Sequence, residues 1–460
     1  MEYLTPQIIA EITGGDYIGV EEARRINITG AARDNRDVKP GNLFVCIQGA
    51  RADGHDFANS AFESGAACCL AEHELRDAKG PYVLVKSTLE AIKAIGKHHR
   101  SRFSIPVIGI TGSVGKTTAK EMVAAVLGAK FNVLKTQENF NNELGVPLTL
   151  LSLDAEHEAA VIEMGISEFG EMSRLADMVR PVMCVMTKIG HSHLETLGDL
   201  YGVLKAKSEV FAYMKPDGIA IVNGDDEFLR EYDPGIRKIS FGAGGHNSFR
   251  AENIRAEGTS AVELEIVSDT GRFPVKIPSY GSHLALAALA AAAAGRLMGL
   301  TDEDIRLGLL SYKPVGGRSN VRDTGYITLI DDCYNANPDS VRSSLASLYA
   351  LPDGFPPFRR VAILGDMLNL GELSEELHRE IGIETARSGV GCLICCGDDA
   401  MFIYEGYTSA GGEDMWYFPD KVELVSALPE LIEKGDAVLV KASHGMRFEE
   451  LLPVLEDLRD

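Results

Sequence analysis

Short apolar runs alternate along the chain with stretches in which apolar residues recur every three or four positions. In the middle of the sequence the runs are PVIGITG, AAVIEMG, PVMCVMTKIG and GIAIVNGDD. They are rich in β-branched residues and end in glycine or polar residues, as buried strands do. AKEMVAAVLGAKF, after the first run, has the spacing of an amphipathic helix. Strands alternating with helices predict a largely parallel sheet with helices on both faces. From Phe249 to Pro278 the pattern changes to extended segments, AVELEIVS and GRFPVKIP, which predict a small antiparallel excursion. An Ala-rich helix from about Ser282 to Leu300 closes this unit.

The pattern divides the chain into three. Before the central unit, NLFVCI and YVLVK are short strands among helical stretches, and the basic KHHRSRFSIP reads as a linker. After it, the turn-rich SYKPVGGRSN leads to strands YITLIDD, RRVAILGDM, GCLICCG and DAVLVKAS. The expected fold is therefore α/β with a small N-terminal domain (1–100), a central domain on a parallel sheet (101–312) and a Rossmann-like C-terminal domain (313–460). At 460 residues a single core is excluded.

Charge narrows the partners. Lys and Arg number 45 against 67 Asp and Glu, a net charge of −22. Such a surface repels nucleic acid and anionic membranes, so an anionic ligand needs a local cationic site. The longest apolar stretch, LALAALAAAAAG, is too short to span a bilayer. No basic start followed by an apolar run opens the chain, and a cytoplasmic protein with reduced thiols is expected. Cys392-x-x-Cys395 has redox or metal spacing, but it falls in a strand-like run with no second pair nearby.

GITGSVGKTT, Gly109 to Thr118, sits between the first central strand and its helix. A glycine-rich turn in that context presents backbone N–H groups and the positive end of the helix dipole to phosphate. The loop comprises Gly112, Ser113, Val114, Gly115, Lys116, Thr117 and Thr118. Lys116 suits the β- and γ-phosphates of ATP and Thr117 suits Mg²⁺. A strand-to-helix turn with an incidental lysine is the alternative. The usual G-x-x-x-x-G-K-[ST] form would need glycine at 110, where the chain has Ile110. That departure argues against a standard GTPase or kinase.

Glu163 ends the run AAVIEMG and His193 follows CVMTKIG. Both therefore fall where an open parallel sheet binds ligands, outside the carboxyl ends of its strands. A carboxylate and an imidazole there could hold Mg²⁺.

TGSVGKTT, TQENFNNELGVPLTLL, EMG, and HLETLG with AKSEVF, in that order, resemble the Mur ligases, ATP-dependent enzymes that extend a UDP-muramoyl precursor. The glycine spacing of the loop is similar to theirs. The resemblance implies a carbamylated lysine at Lys207, whose anionic form would hold a second Mg²⁺; an ordinary helix-surface lysine is the alternative. It also implies an adenine site near Gly281 and His283, although Leu284 and Ala287 stand where asparagines are frequent.

DNRDVKPGNLFVCIQGARADGHDF resembles a UDP-sugar-binding first domain, implicating Arg36 in substrate binding and Asp53-Gly54-His55 in a turn. DDCYNANPDSVRSSL, LGDMLNLGELSEELHREIG and KASHGMRFEELL resemble the branch that adds D-alanyl-D-alanine to UDP-N-acetylmuramoyl-tripeptide. The branch that adds the third residue usually has H-x-P-D instead. By this resemblance Asp332 and Asn335 serve the nucleotide, while Asn337, Lys441 and Ser443 serve the incoming dipeptide. Arg318 reaches phosphate when the domains close, or is merely a linker arginine. Asp339, just inside a helix start, is available as its cap. His444 replaces a frequent arginine. The implied reaction passes through an acyl phosphate, with Lys116, Glu163, His193, Lys207 and Arg318 as its machinery in a monomer. A ligase adding the third residue, or a nucleotide-gated binding protein, are the competing expectations.

Overall fold

The structure, a computed structural model, describes residues 3–49, 52–351 and 359–459. It contains a five-stranded, a nine-stranded and a six-stranded sheet. In the first, Gly30–Ala32, Asn42–Val45, Cys68–Ala71 and Tyr82–Leu84 run parallel, and Asp16–Ile18 joins the edge antiparallel. Asp53 ties the turn before Ala58–Glu63: its carboxylate accepts from the His55 N–H at 3.0 Å and contacts Nδ1 at 2.6 Å. Glu72 donates its N–H to His55 Nε2. That bond fixes the proton on Nδ1, so His55 has no lone pair for a metal despite the nearby Asp53 and His73.

The nine-stranded sheet positions the site. Its parallel part runs Val133–Lys135, Ala159–Glu163, Val107–Thr111, Met183–Met186, Ile219–Asn223 and Arg237–Gly242 across the sheet. Val107–Thr111 thus lies between strands reached by crossovers in opposite directions, and a crevice opens at its carboxyl end. In register, Ile110 sits opposite both Glu163 and Val185. The excursion is the meander Phe249–Glu257, Ala261–Ser268 and Gly271–Ile277. It is antiparallel, as expected, but Phe249 and Arg250 pair in parallel with Phe241 and Gly242, so it extends the same sheet.

Buried leucines, isoleucines and valines fill both faces of this sheet, each contributing about 1.5–3 kcal/mol. The Ala-rich helix, Leu284–Leu297, is buried along most of its length, and its small side chains let it pack closely on Lys116–Leu127. A Cβ on Gly295 would stand 2.7 Å from Val126 Cγ1. The helix carrying the phosphate loop is thereby held from behind.

The six-stranded sheet runs Thr328–Asp331, Ala437–Lys441, Arg360–Gly365, Cys392–Cys396 and Met415–Phe418 in parallel, edged by antiparallel Asn320–Asp323. Cys392 and Cys395 point to opposite faces of their strand, as their odd separation demands, and enter different cores. They form no redox or metal pair.

KHHRSRFSIP is not a free linker. Helix Thr88–Ser101 runs through its first half and buries His99 and Arg100. Arg100 donates to the carbonyls of Val179, Phe103 and Ile105. The pattern hid this because its cations resemble a solvated run.

Candidate active site

The loop's fold explains its glycine spacing. Ile110 is still strand and fully buried, so that position has no need of glycine. Gly112, at φ 140°, makes the turn, and a Cβ there would stand 2.0 Å from Thr187 Oγ1. Gly115, at φ 80°, precedes helix Lys116–Leu127. Ser113 fixes the loop to the next strand's end: its N–H donates to Lys188 O at 2.8 Å, and its Oγ exchanges hydrogen bonds with Gly190 O and N–H at 3.0 Å. Lys116 Nζ donates to Gly112 O at 2.9 Å. Burial pushes its pKa down; Glu163 opposes that shift and Arg318 adds to it.

Glu163 is 1% exposed. Thr117 Oγ1 donates to Glu163 Oε2 at 2.9 Å and Asn141 Nδ2 donates to Oε1 at 2.8 Å. Lys120 Nζ stands 4.0 Å from Oε2. His193 adopts φ 55° and ψ 37°, an uncommon backbone state outside glycine, before Leu194–Leu197. Burial, then the charges of Lys207 and Lys116, push its pKa down to about 4 against the pull of Glu171. The imidazole is thus neutral near pH 7, with a lone pair for a metal.

Lys207 is 1% exposed, so it is no surface lysine. Burial and Lys116 drive its pKa well below the ordinary value, with Glu171 opposing. Among the described residues its Nζ has no hydrogen-bond or ion-pair partner. A hydroxyl and a carboxylate suit a hard divalent cation, a neutral imidazole is a less usual ligand for one, and a lysine ammonium repels it.

The opposite wall comes from the C-terminal domain, and a cavity of about 340 Å³ lies between. Of the residues singled out in the sequence, Ser113–Thr118, Glu163, His193, His283, Arg318, Asp332, Asn335, Asn337 and Lys441 line it. Asp332 is fastened by Lys441 Nζ at 2.6 Å, Ser344 Oγ at 2.5 Å and the Ser319 N–H at 2.9 Å. Lys441 also donates to Asn335 O at 3.1 Å, holding the segment after strand Thr328–Asp331 in shape. Arg318 lies over the Tyr334 ring at 4.0 Å, in the cleft. His444 flanks the same ring at 5.4 Å. His283 Nδ1 is buried and has no hydrogen-bond partner among the described residues, an open polar position in a cleft wall. Leu284 and Ala287 face the apolar core.

Several residues stand elsewhere or act differently. Arg36 has an 83% exposed side chain and pairs with Asp34, away from the cleft. Ser443 lies outside the lining and bonds Ala336 O and the Leu368 N–H. Asn337, not Asp339, caps helix Pro338–Tyr349, accepting from the Ser340 N–H at 2.8 Å. Asp339 instead reaches Lys188 and His191 of the central domain.

Asn141, Glu171 and Tyr334 also line the cleft, although no motif in the sequence marks them singly for a role there. Asn141 carried a signal within TQENFNNELG; Glu171 looked like an ordinary first-turn acid.

Residues 27–100, 110–295 and 317–444 match, in turn, the Mur ligase family catalytic domain, the Mur ligase middle domain and the Mur ligase glutamate ligase domain. The chain is 35% identical over 454 residues to the UDP-N-acetylmuramoyl-tripeptide–D-alanyl-D-alanine ligase of Bacillus subtilis (strain 168), covering 97% of each. It belongs to the Mur ligase family.

Solved structures agree with this Mur ligase along its length. MurF from Acinetobacter baumannii superposes with a TM-score of 0.88 at 29% identity, covering 99% of each chain. MurF from Thermotoga maritima in complex with ADP gives 0.79 at 30% identity, covering 93% of this chain and 97% of that one. These members of the family therefore share the overall fold of this chain over nearly its whole length.

Proposed function

We propose that this Mur ligase joins D-alanyl-D-alanine to UDP-N-acetylmuramoyl-tripeptide with ATP, giving ADP, phosphate and the UDP-pentapeptide. The observation that carries the reading is the single cleft where the GSVGKTT loop faces the YNANPDS segment. Full-length similarity to the ligases of that name supports the same assignment.

The tripeptide carboxylate attacks the γ-phosphoryl group of ATP, forming an acyl phosphate and ADP. The dipeptide amine then adds to the carbonyl, and phosphate leaves. Both reacting groups are anionic at first, so the chain must supply positive charge. The loop N–H groups, Lys116 and Arg318 do so from two sides. Thr117, Glu163 and His193 would hold Mg²⁺, which supplies charge neutralisation to the phosphates. Lys207, unpaired and driven toward its neutral amine, has the form that adds carbon dioxide; the carbamate would provide the anionic ligand that a free lysine cannot. Asp332 and Asn335 serve the nucleotide, and closure of the C-terminal wall keeps water from the acyl phosphate.

Action in the cytoplasm is part of the proposal, on the similarity to the UDP-N-acetylmuramoyl-tripeptide–D-alanyl-D-alanine ligases; no helix among the described residues is long and apolar enough to cross a membrane. The test is phosphate release from ATP and Mg²⁺ with UDP-tripeptide and D-Ala-D-Ala, separately and together. Release only with both, and a product heavier by the dipeptide, is expected. Product from UDP-dipeptide and one amino acid would move the assignment to the branch adding the third residue. Hydrolysis indifferent to either acceptor would overturn ligation.

A further inference from the structure

Asp339 belongs to the C-terminal domain, yet among the described residues the hydrogen-bond and ion-pair partners of its carboxylate lie in the central one. Oδ2 accepts from the His191 N–H at 2.8 Å and contacts His191 Nδ1 at 2.9 Å, while Oδ1 meets Lys188 Nζ at 2.9 Å. Its side chain is only 10% exposed. Gly190 lies beneath it, and a Cβ there would stand 2.5 Å from Oδ2, so this approach requires glycine.

The segment from Lys188 to Gly190 also carries the phosphate loop. Lys188 O and both backbone groups of Gly190 bond Ser113, and the Ile189 N–H donates to Asp226 Oδ2 at 2.9 Å. One side of the segment thus supports the loop while the other grips the C-terminal domain. A helix cap was the simple role for Asp339, but Asn337 fills it.

We propose that Asp339 is a positioning residue that latches the C-terminal domain onto the strap beneath the phosphate loop, so that one carboxylate sets both domain closure and loop geometry. The proposal rests on reading the cleft as the nucleotide site. It touches no substrate; it acts through Lys188–His191 and Ser113. Its loss therefore lowers turnover and leaves capture of the UDP-precursor intact.

The experiment uses the full chain with Asp339→Asn, Lys188→Met and the double variant. Asparagine keeps an oxygen for the His191 N–H and removes the charge facing Lys188. The expected result has three parts. In Asp339→Asn kcat falls by on the order of 10²-fold with KM for the UDP-precursor unchanged. The double variant loses no more than the stronger single one, as residues sharing one contact should. Solution scattering gives a larger radius of gyration for Asp339→Asn than for the parent chain. Additive losses, or an unaltered radius of gyration, overturn the latch. Should Asp339→Asn not fold, Lys188→Met, altered at a side chain 44% exposed, decides by the same kcat–KM split and scattering. A parent chain that makes no product overturns the ligase reading instead; scattering and weakened ADP binding in the variants then still decide the latch.

Discussion

Glu163 is held from three directions: by Thr117 and Asn141 at its oxygens, and by Thr136 Oγ1, which accepts its backbone N–H at 2.9 Å. Replacing it with glutamine puts an NH₂ opposite one of two donors and removes the carboxylate from a buried place. Glu163→Gln is expected to cost about 1–3 kcal/mol of stability, read by denaturant titration. It should also demand far more Mg²⁺ for any remaining turnover; an unchanged Mg²⁺ dependence would remove Glu163 from the metal site. His193 gives a pH test. Its folded pKa lies near 4 against an ordinary 6.5, so the native state favours the neutral ring. The stability this provides is complete above pH 6.5 and is lost as pH falls toward 4. Unfolding free energy against pH should lose part of its acid slope in His193→Gln, within that window alone. The places of Glu163 and His193 in the cleft were legible because the first ends a strand and the second follows the next strand within a few residues. Asn141 was not, because it reaches the carboxylate from a loop whose course only the folded sheet defines.

At the scale of the element, the phosphate loop shows how spacing follows from register. Ile110 pairs across to Glu163 and Val185 and is buried on its strand, whereas Gly112 turns the chain against Thr187. Restoring the usual glycine with Ile110→Gly should therefore cost about 3–6 kcal/mol and bring no gain in ATP affinity. Gly112→Ala should cost binding more than folding, because its Cβ displaces a Thr187 hydroxyl that donates to Val114 O at 2.6 Å. Calorimetric titration with ADP beside denaturant midpoints separates the two; ADP binding unimpaired in Gly112→Ala would refute this account of the loop. The loop, its strand and its helix were readable because all their signals are local. The meander was readable as antiparallel but not as part of the central sheet, since that union rests on a short parallel pairing of Phe241 and Gly242 with Phe249 and Arg250. Asp339 was misread for a related reason: its position marks a helix start, and only the neighbouring domain shows what the carboxylate binds.

At the scale of the whole molecule, the N-terminal domain is fastened to the central one through helix Thr88–Ser101. His99 contacts Leu153 O through Nε2 at 2.8 Å, Lys93 meets Glu143 at 2.9 Å, and Gly96 lies so near Pro147 that a Cβ would come within 2.7 Å. Arg100 is the most heavily bonded of these ties. Its guanidinium is buried against three carbonyls, with no carboxylate partner among the described residues, and burial lowers its pKa. A buried cation held only by carbonyls is costly to solvate away and costly to unpair, so the contact is rigid rather than a hinge. Replacing it leaves those carbonyls to find water at the junction of the two domains. Arg100→Met should lower stability by about 2 kcal/mol, a shift of a few degrees in melting temperature, and should open residues 102–106 to trypsin at Arg102. If the basic run were a free linker, the substitution would alter neither the melt nor the cleavage. Rigidity here and a latch at Asp339 divide the labour between the interfaces. The N-terminal domain would hold the UDP-precursor at a fixed distance from the phosphate loop, and the C-terminal domain would be the wall that closes.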